Sequence, residues 1–195
     1  AFEAAGAADP RDPAAWNDLA MVLVALHRLP EADRALTRAT ERSGRDPEPW
    51  DNLGAVRLAR GNARDAVAAF QRACELSPTT ARYRSDLGAA QLAAGSPADA
   101  VASFDAASRA SPDDAVVLGN LGYALSLTDR LDEAVTTLRR AAAMPGATAT
   151  VHDNLGLVLL RRGDRAGARA AFERAVAVAP DDPRARTHLA SMGER

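Results

Sequence analysis

Apolar and small residues recur along the chain at helical spacing, as in Trp50, Leu53, Gly54 and Leu58, and polar side chains fill the positions between them. The pattern halts at Gly61, and related stretches halt at Gly95 and Gly163, where glycine supplies the left-handed residue that ends a helix. Helix starts are equally plain. Asp12-Pro13, Asp46-Pro47 and Asp182-Pro183 each pair an N-cap acceptor with a proline whose missing N–H costs nothing at a first helical position. A second helix follows each glycine. Ser96-Pro97-Ala98-Asp99 resembles a capping box, Asn62 to Asp65 offers a similar arrangement, and Pro78, Pro112 and Pro180 stop the chain past the helix end. The predicted building block is an antiparallel helical hairpin.

The blocks repeat every 34 residues. Leu19, Leu53, Leu87, Leu121, Leu155 and Leu189 share one place, and the next place reads Ala20, Gly54, Gly88, Gly122, Gly156 and Ala190. Ala32, Ala66, Ala100, Ala134 and Ala168 share another, followed by Leu36, Phe70, Phe104, Leu138 and Phe172, and then by Ala39, Ala73, Ala107, Ala141 and Ala175. The frame divides residues 1–195, read as a single array, into full repeats at 13–46, 47–80, 81–114, 115–148 and 149–182. Residues 1–12 read as the end of an upstream repeat, with Phe2, Ala5 and Pro10 in phase, and 183–195 as a terminal helix. The expectation is a piece cut from a longer array.

Small residues at the eighth, twentieth and twenty-seventh places let helix axes approach, and the larger Trp, Leu and Phe fill the layers between them. One hairpin cannot bury its apolar face alone, so successive hairpins must stack. The predicted fold class is all-α: a right-handed α–α superhelix, a solenoid of helical hairpins whose first helices line a concave surface.

Composition narrows the function classes. The 24 basic residues, all arginine, stand against 26 acidic ones, and the net charge of −2 sets up no field for nucleic acid or an anionic membrane. Apolar residues make up 47% of the chain, yet aromatics only 4%, and 47 residues are alanine, which suits closely packed helices and excludes an all-β fold. No apolar stretch is long enough for a membrane span and no signal-peptide order opens the chain, so a soluble protein is expected. The cytoplasm is favoured, with the periplasm as the alternative because the native N-terminus reads as missing. The Ala- and Arg-rich composition without lysine points to a bacterial source.

The pattern Trp-x2-Leu-Gly, then Ala-x3-Phe, then Pro, on this period, is similar to the tetratricopeptide repeat, and the resemblance spans essentially the whole chain. There are departures. The usual aromatic of the eleventh place is Leu23, Arg57, Gln91, Leu125 or Leu159, and the bulky fourth place becomes Arg84, Leu118, His152 and Arg186, where looser packing is expected. The fourth repeat has Asp129 in place of the mid-repeat glycine, and Met144-Pro145-Gly146 shifts its proline, for which a local adjustment without loss of frame is expected.

No catalytic set, metal site or cofactor motif assembles. There is no Gly-rich phosphate loop, and His27, His152 and His188 occupy unrelated places, with an approach of His152 to His188 the one pairing open to them. Cys74, the single cysteine, reads as a small core or boundary residue. Asp113-Asp114 and Asp181-Asp182 fall at inter-repeat turns and read as helix caps, and the pairs Arg139-Arg140 and Arg161-Arg162 read as solvated faces.

The resemblance implies a noncatalytic protein-interaction scaffold whose groove is lined by the second, fifth, sixth, ninth, twelfth and thirteenth places. The sixth place carries Asn52, Asn120 and Asn154, amides able both to donate to and accept from a peptide backbone; the ladder resembles that of O-linked N-acetylglucosamine transferases. Asp51, Asp86 and Asp153 tilt the groove acidic, opposed mainly by Arg82. Tyr123 in the ninth place, and Leu58 and Leu92 in the twelfth, are either an exposed anchoring stripe or residues leaning into the neighbouring helix. The expected partner is an extended or helical peptide with apolar anchors and some positive charge. Neither nucleic acid nor a membrane is expected, and uncapped ends leave self-association open. A clamp for a C-terminal carboxylate is disfavoured by the aspartates. The alternative is the substrate-recruiting region of a larger enzyme such as a glycosyltransferase, or a pilus or secretin assembly factor.

Overall fold

The computed structural model describes residues 12–42 and 44–193, so the in-phase residues Phe2, Ala5 and Pro10 lie outside it. Every regular element among the described residues is an α-helix, eleven in all. They are α1 (Pro13–Ala25), α2 (Leu29–Thr40), α3 (Glu48–Ala59), α4 (Ala63–Leu76), α5 (Ala81–Ala93), α6 (Pro97–Ala110), α7 (Ala115–Leu127), α8 (Leu131–Ala142), α9 (Ala149–Arg161), α10 (Arg165–Val178) and α11 (Pro183–Ser191). The chain divides into two compact units, one ending at Ser96 and the other beginning at Pro97.

The starts follow the sequence where an aspartate precedes the helix. Asp12 accepts from the Ala14 N–H at 2.9 Å, Asp114 from Val116 and Val117, and Asp182 from Arg184. Asp46 accepts from Glu48 at 3.0 Å, although α3 begins one residue after the proline. Asn62 departs from expectation. Its side chain makes no cap hydrogen bond at the start of α4, whereas Asp164 in the equivalent turn accepts from the Gly167 N–H.

That turn is common to the hairpins. The residue after each mid-repeat glycine returns its N–H to a carbonyl five positions back: Asn62 to Arg57, Ser96 to Gln91 and Asp164 to Leu159, all at 2.8–2.9 Å. Arg28 and Arg130 make the same bond to Leu23 and Leu125, so His27 and Asp129 are drawn into left-handed conformations with φ of 58° and 62°. The fourth repeat therefore keeps its frame without glycine, and Gly146 absorbs its shifted proline at φ +83°.

In the first unit, α1 pairs with α2 and α3 with α4; α3 then packs on α2, and α5 on α4. The core holds Leu19, Ala20, Leu23, Leu36, Leu53 and Val56, with Trp16 and Trp50 half-buried at its edge. In the second unit α7 pairs with α8 and α9 with α10, while α6 packs on α7, α8 on α9 and α10 on α11. Phe104, Leu118, Leu125, Leu138, Leu159 and Phe172 fill its interior. The alanines of the twentieth and twenty-seventh places are 0% exposed in all five repeats, as the need for close helix axes requires.

The eighth place is tighter still. A Cβ on Gly54 would lie 2.8 Å from the Phe70 ring, and one on Gly156 would lie 2.4 Å from that of Phe172. Gly122 is equally close to Leu138. At the fourth place, where looser packing was expected, the outcome is divided, with Arg186 exposed and Arg84 half-buried. Leu118 and His152 are buried, and the Arg84 guanidinium reaches back to the Pro78 carbonyl. The arginine occupies the space by binding the preceding turn.

His27 takes a left-handed backbone without making a side-chain hydrogen bond among the described residues. His27→Gly should therefore raise unfolding free energy by about 0.5–1 kcal/mol, the relief of the Cβ clash less the added chain entropy. Urea denaturation checks this, and an unchanged or lowered stability would contradict it.

Candidate functional site

The first helices of neighbouring repeats lie side by side: α1 against α3 and α3 against α5 in the first unit, α7 against α9 and α9 against α11 in the second. Their polar faces meet with a constant offset. The fifth place of one repeat sits beside the sixth place of the next, a separation of 35 residues. Asn52 Nδ2 donates to Asn17 Oδ1 at 2.8 Å, and His188 Nδ1 lies 2.7 Å from Asp153 Oδ1. Asp51 and Asp86 occupy the same two places, so the same offset sets their carboxyls side by side.

This offset changes the standing of the expected groove residues. Asp51 and Asp153 were expected as open acids in the groove; they are 4% and 8% exposed, respectively, and each is turned into the contact with the next repeat. Asp51 Oδ2 meets Arg82 Nη2 at 2.9 Å, and its Oδ1 is buried with no hydrogen-bond partner among the described residues. Burial pushes the Asp51 carboxyl up to about 6 against the pull of Arg82, with Asp86 and Glu48 adding to the rise. Asp86 is half-buried and raised by burial as well. The acidic tilt is therefore weaker than a count of aspartates implies.

The amides divide into two groups. Asn52 is engaged by Asn17, whereas Asn120 and Asn154, both half-buried, make no side-chain hydrogen bond among the described residues. For Asn154 the cause is local. The fifth place of the preceding repeat is Gly119, where a Cβ would lie 2.7 Å from Val151 Cγ2, so close helix approach removes the side chain that would otherwise meet the amide. Tyr123, one turn beyond Asn120 on α7, is 40% exposed. Leu58 is half-buried and packs against the cluster of Ala66, Phe70 and Ala90, and Leu92 is half-buried too. The leaning reading thus holds for Leu58, and Tyr123 alone of these three is open.

The histidines do not form a shared site. His188 pairs with Asp153 and sets its ring 5.4 Å from that of Phe172, while His152 is buried and held below the ordinary imidazole range by that burial. Burial also pushes the Cys74 thiol up to about 11, which disfavours the thiolate a nucleophile needs. Arg161 bonds the Ser126 carbonyl and the Asp129 carboxylate. Among the described residues no group of three His, Cys, Asp or Glu side chains is placed to hold a metal ion, and no helix is long and apolar enough to cross a membrane. The 35-residue offset was missed in the sequence, although the complementary pairs Asn17–Asn52 and Asp153–His188 carry its signal.

Known proteins share this fold. Family models described as "Tetratricopeptide repeat" match residues 18–81, 52–115, 91–152 and 149–192, and the chain belongs to the tetratricopeptide repeat family. Its fold is the all-α superhelical class of that family. Among solved structures the chain is similar to YrrB, described as a TPR protein with an unusual peptide-binding site, at a TM-score of 0.76 and 19% identity, covering 96% of each chain. It is also similar to residues 41 to the end of MamA from Desulfovibrio magneticus RS-1 (TM-score 0.78, 21% identity, 88% of this chain and 97% of that one). A third likeness is to PilF of Pseudomonas aeruginosa (TM-score 0.68, 28% identity, 76% of this chain and 69% of that one). No curated protein matches the chain in sequence.

Asp153 fixes the last first helix through one partly buried, charge-capable hydrogen bond. Asp153→Asn should speed amide exchange across Pro183–Ser191 by about tenfold, corresponding to 1–2 kcal/mol. Unchanged protection of that helix would show that apolar packing alone holds it.

Proposed function

We propose that the chain is a noncatalytic interaction scaffold that holds an extended segment of a partner protein against the first helices of its second unit. The carrying observation is the pair of unengaged amides at Asn120 and Asn154, half-buried and accompanied by the exposed Tyr123. An amide supplies both a donor and an acceptor, so the two can hold the alternating N–H and C=O groups of a peptide backbone with little dependence on its side chains. Tyr123 adds the apolar anchor with a polar tip that such a surface needs. Proteins of this family are generally scaffolds, and the peptide-binding site named for YrrB supports the same use.

Within this reading the other expected residues take separate roles. Asp153 acts as a positioning residue behind the surface, while Asp51, Leu58 and Leu92 stand on the first unit and are not part of it, and Asn52, on the same unit, is occupied by Asn17. Asp86 is half-buried on the first unit and takes no part in this surface. The charge balance of the chain favours a protein over nucleic acid.

Screening the chain against an array of short peptides in extended form tests the proposal. Peptides retained by the native chain should lose affinity about five- to tenfold with Asn154→Ala, the loss of about 1 kcal/mol of hydrogen bonding, and more with Asn120→Ala added. Asn52→Ala should change little. Equal retention by the native chain and the Asn120→Ala, Asn154→Ala double variant would overturn the proposal.

A further inference from the structure

The Asp51–Asp86 contact has chemistry that peptide binding does not use. Asp51 stands on α3 in the second repeat and Asp86 on α5 in the third, both in the first unit. The Asp51 side chain is 5% exposed, and Oδ1 is closed off from solvent with no donor near it, an arrangement that a fully ionised carboxylate tolerates poorly. Arg82 satisfies the other oxygen, but its own side chain is 60% exposed, so water screens the pair.

Among the described residues Arg82 is the cation that acts on the Asp51 carboxyl, while Arg84 and Glu75 flank the neighbouring Cys74. From α5, Arg82 and Asp86 face the group, and Glu48 lies on α3 itself. On α4 the neighbour is Cys74, a thiol held neutral by burial. On α2, Asp33 is taken up by Arg57 and Arg60, and α1 presents Asn17, already bonded to Asn52. Among the described residues the buried Oδ1 lacks a hydrogen-bond partner, and the Asp86 carboxylate set beside Asp51 by the register is an acceptor.

We propose that Asp51 and Asp86 form a proton-operated latch between the second and third repeats. With one proton bound, Asp51 donates its O–H to the Asp86 carboxylate and α3 closes on α5. Without it, two carboxylates and an unpartnered oxygen face each other and the contact loosens. The step moves one proton between solvent and the pair and needs no other reactant. The latch operates whether or not a peptide binds the second unit.

The direction with pH follows from linkage. Burial lifts Asp51 from 3.8 to about 6, so the folded chain holds the proton more tightly than the unfolded chain. The resulting stabilisation is complete in acid and is lost as pH rises through about 6. Between about pH 5 and pH 7.5 the opening equilibrium should change by up to roughly tenfold.

Carboxyl-carbon NMR titration and amide exchange on the full chain test the latch. A carboxyl of the pair should titrate near 6, and the α3 and α5 amides, corrected for intrinsic exchange and referenced to α8, should lose up to about tenfold protection over that interval. Asp51→Asn, which keeps a neutral donor in place, should hold acid-level protection at both pH values. Asp86→Asn removes the opposing charge and should also abolish the response, which keeps the test intact if Asp51→Asn does not fold. Ordinary titration of both aspartates, constant protection in the native chain, or a native response in a folded variant would each overturn the proposal.

Discussion

The architecture rests on the approach of two helices at the small eighth place of each hairpin, alanine in the first repeat and glycine in the next four. In the second, fourth and fifth repeats the eighth-place glycine lies under the Phe or Leu of the twenty-fourth place, and in the second and fifth a Phe ring occupies the space a Cβ would need. Leaving out that atom brings the first helix down onto the second, and the twentieth- and twenty-seventh-place alanines, fully buried throughout, keep the other contacts equally short. A glycine inside a helix costs about 1 kcal/mol in isolation. Here the cost is offset by burying a large ring without strain.

Once the hairpin is set, neighbouring first helices meet at a fixed offset, and that offset decides which polar groups remain free. A polar residue in the fifth place spends itself on the sixth place of the next repeat, as in Asn17 with Asn52 and Asp153 with His188. A glycine there closes the gap through packing and leaves the following amide unspent, as Gly119 does for Asn154. The same pair of places thus yields a bonded joint between repeats or an amide without a side-chain hydrogen bond among the described residues.

Much of this was legible in the chain because helix starts, turns and close contacts are local chemistry. Asp-Pro steps, left-handed glycines and invariantly small places all act within one hairpin. Asp129 and His27 show where local chemistry yields, since the frame imposes a left-handed residue on side chains that do not prefer it. The candidate site was less legible. Whether Asp51 or Asp153 faces solvent depends on the register between repeats, which summed side-chain volumes settle and no short motif encodes.

The central constraint is tested most directly by a double-mutant cycle on Gly156 and Phe172, read as unfolding free energy. With Phe172 in place, Gly156→Ala should destabilise the chain by about 1–3 kcal/mol through overpacking. In a Phe172→Ala background the same change should stabilise it, since the added methyl enters vacated space and favours the helix, giving a strong coupling between the two sites. Additive effects, with Gly156→Ala costing the same in both backgrounds, would contradict the account.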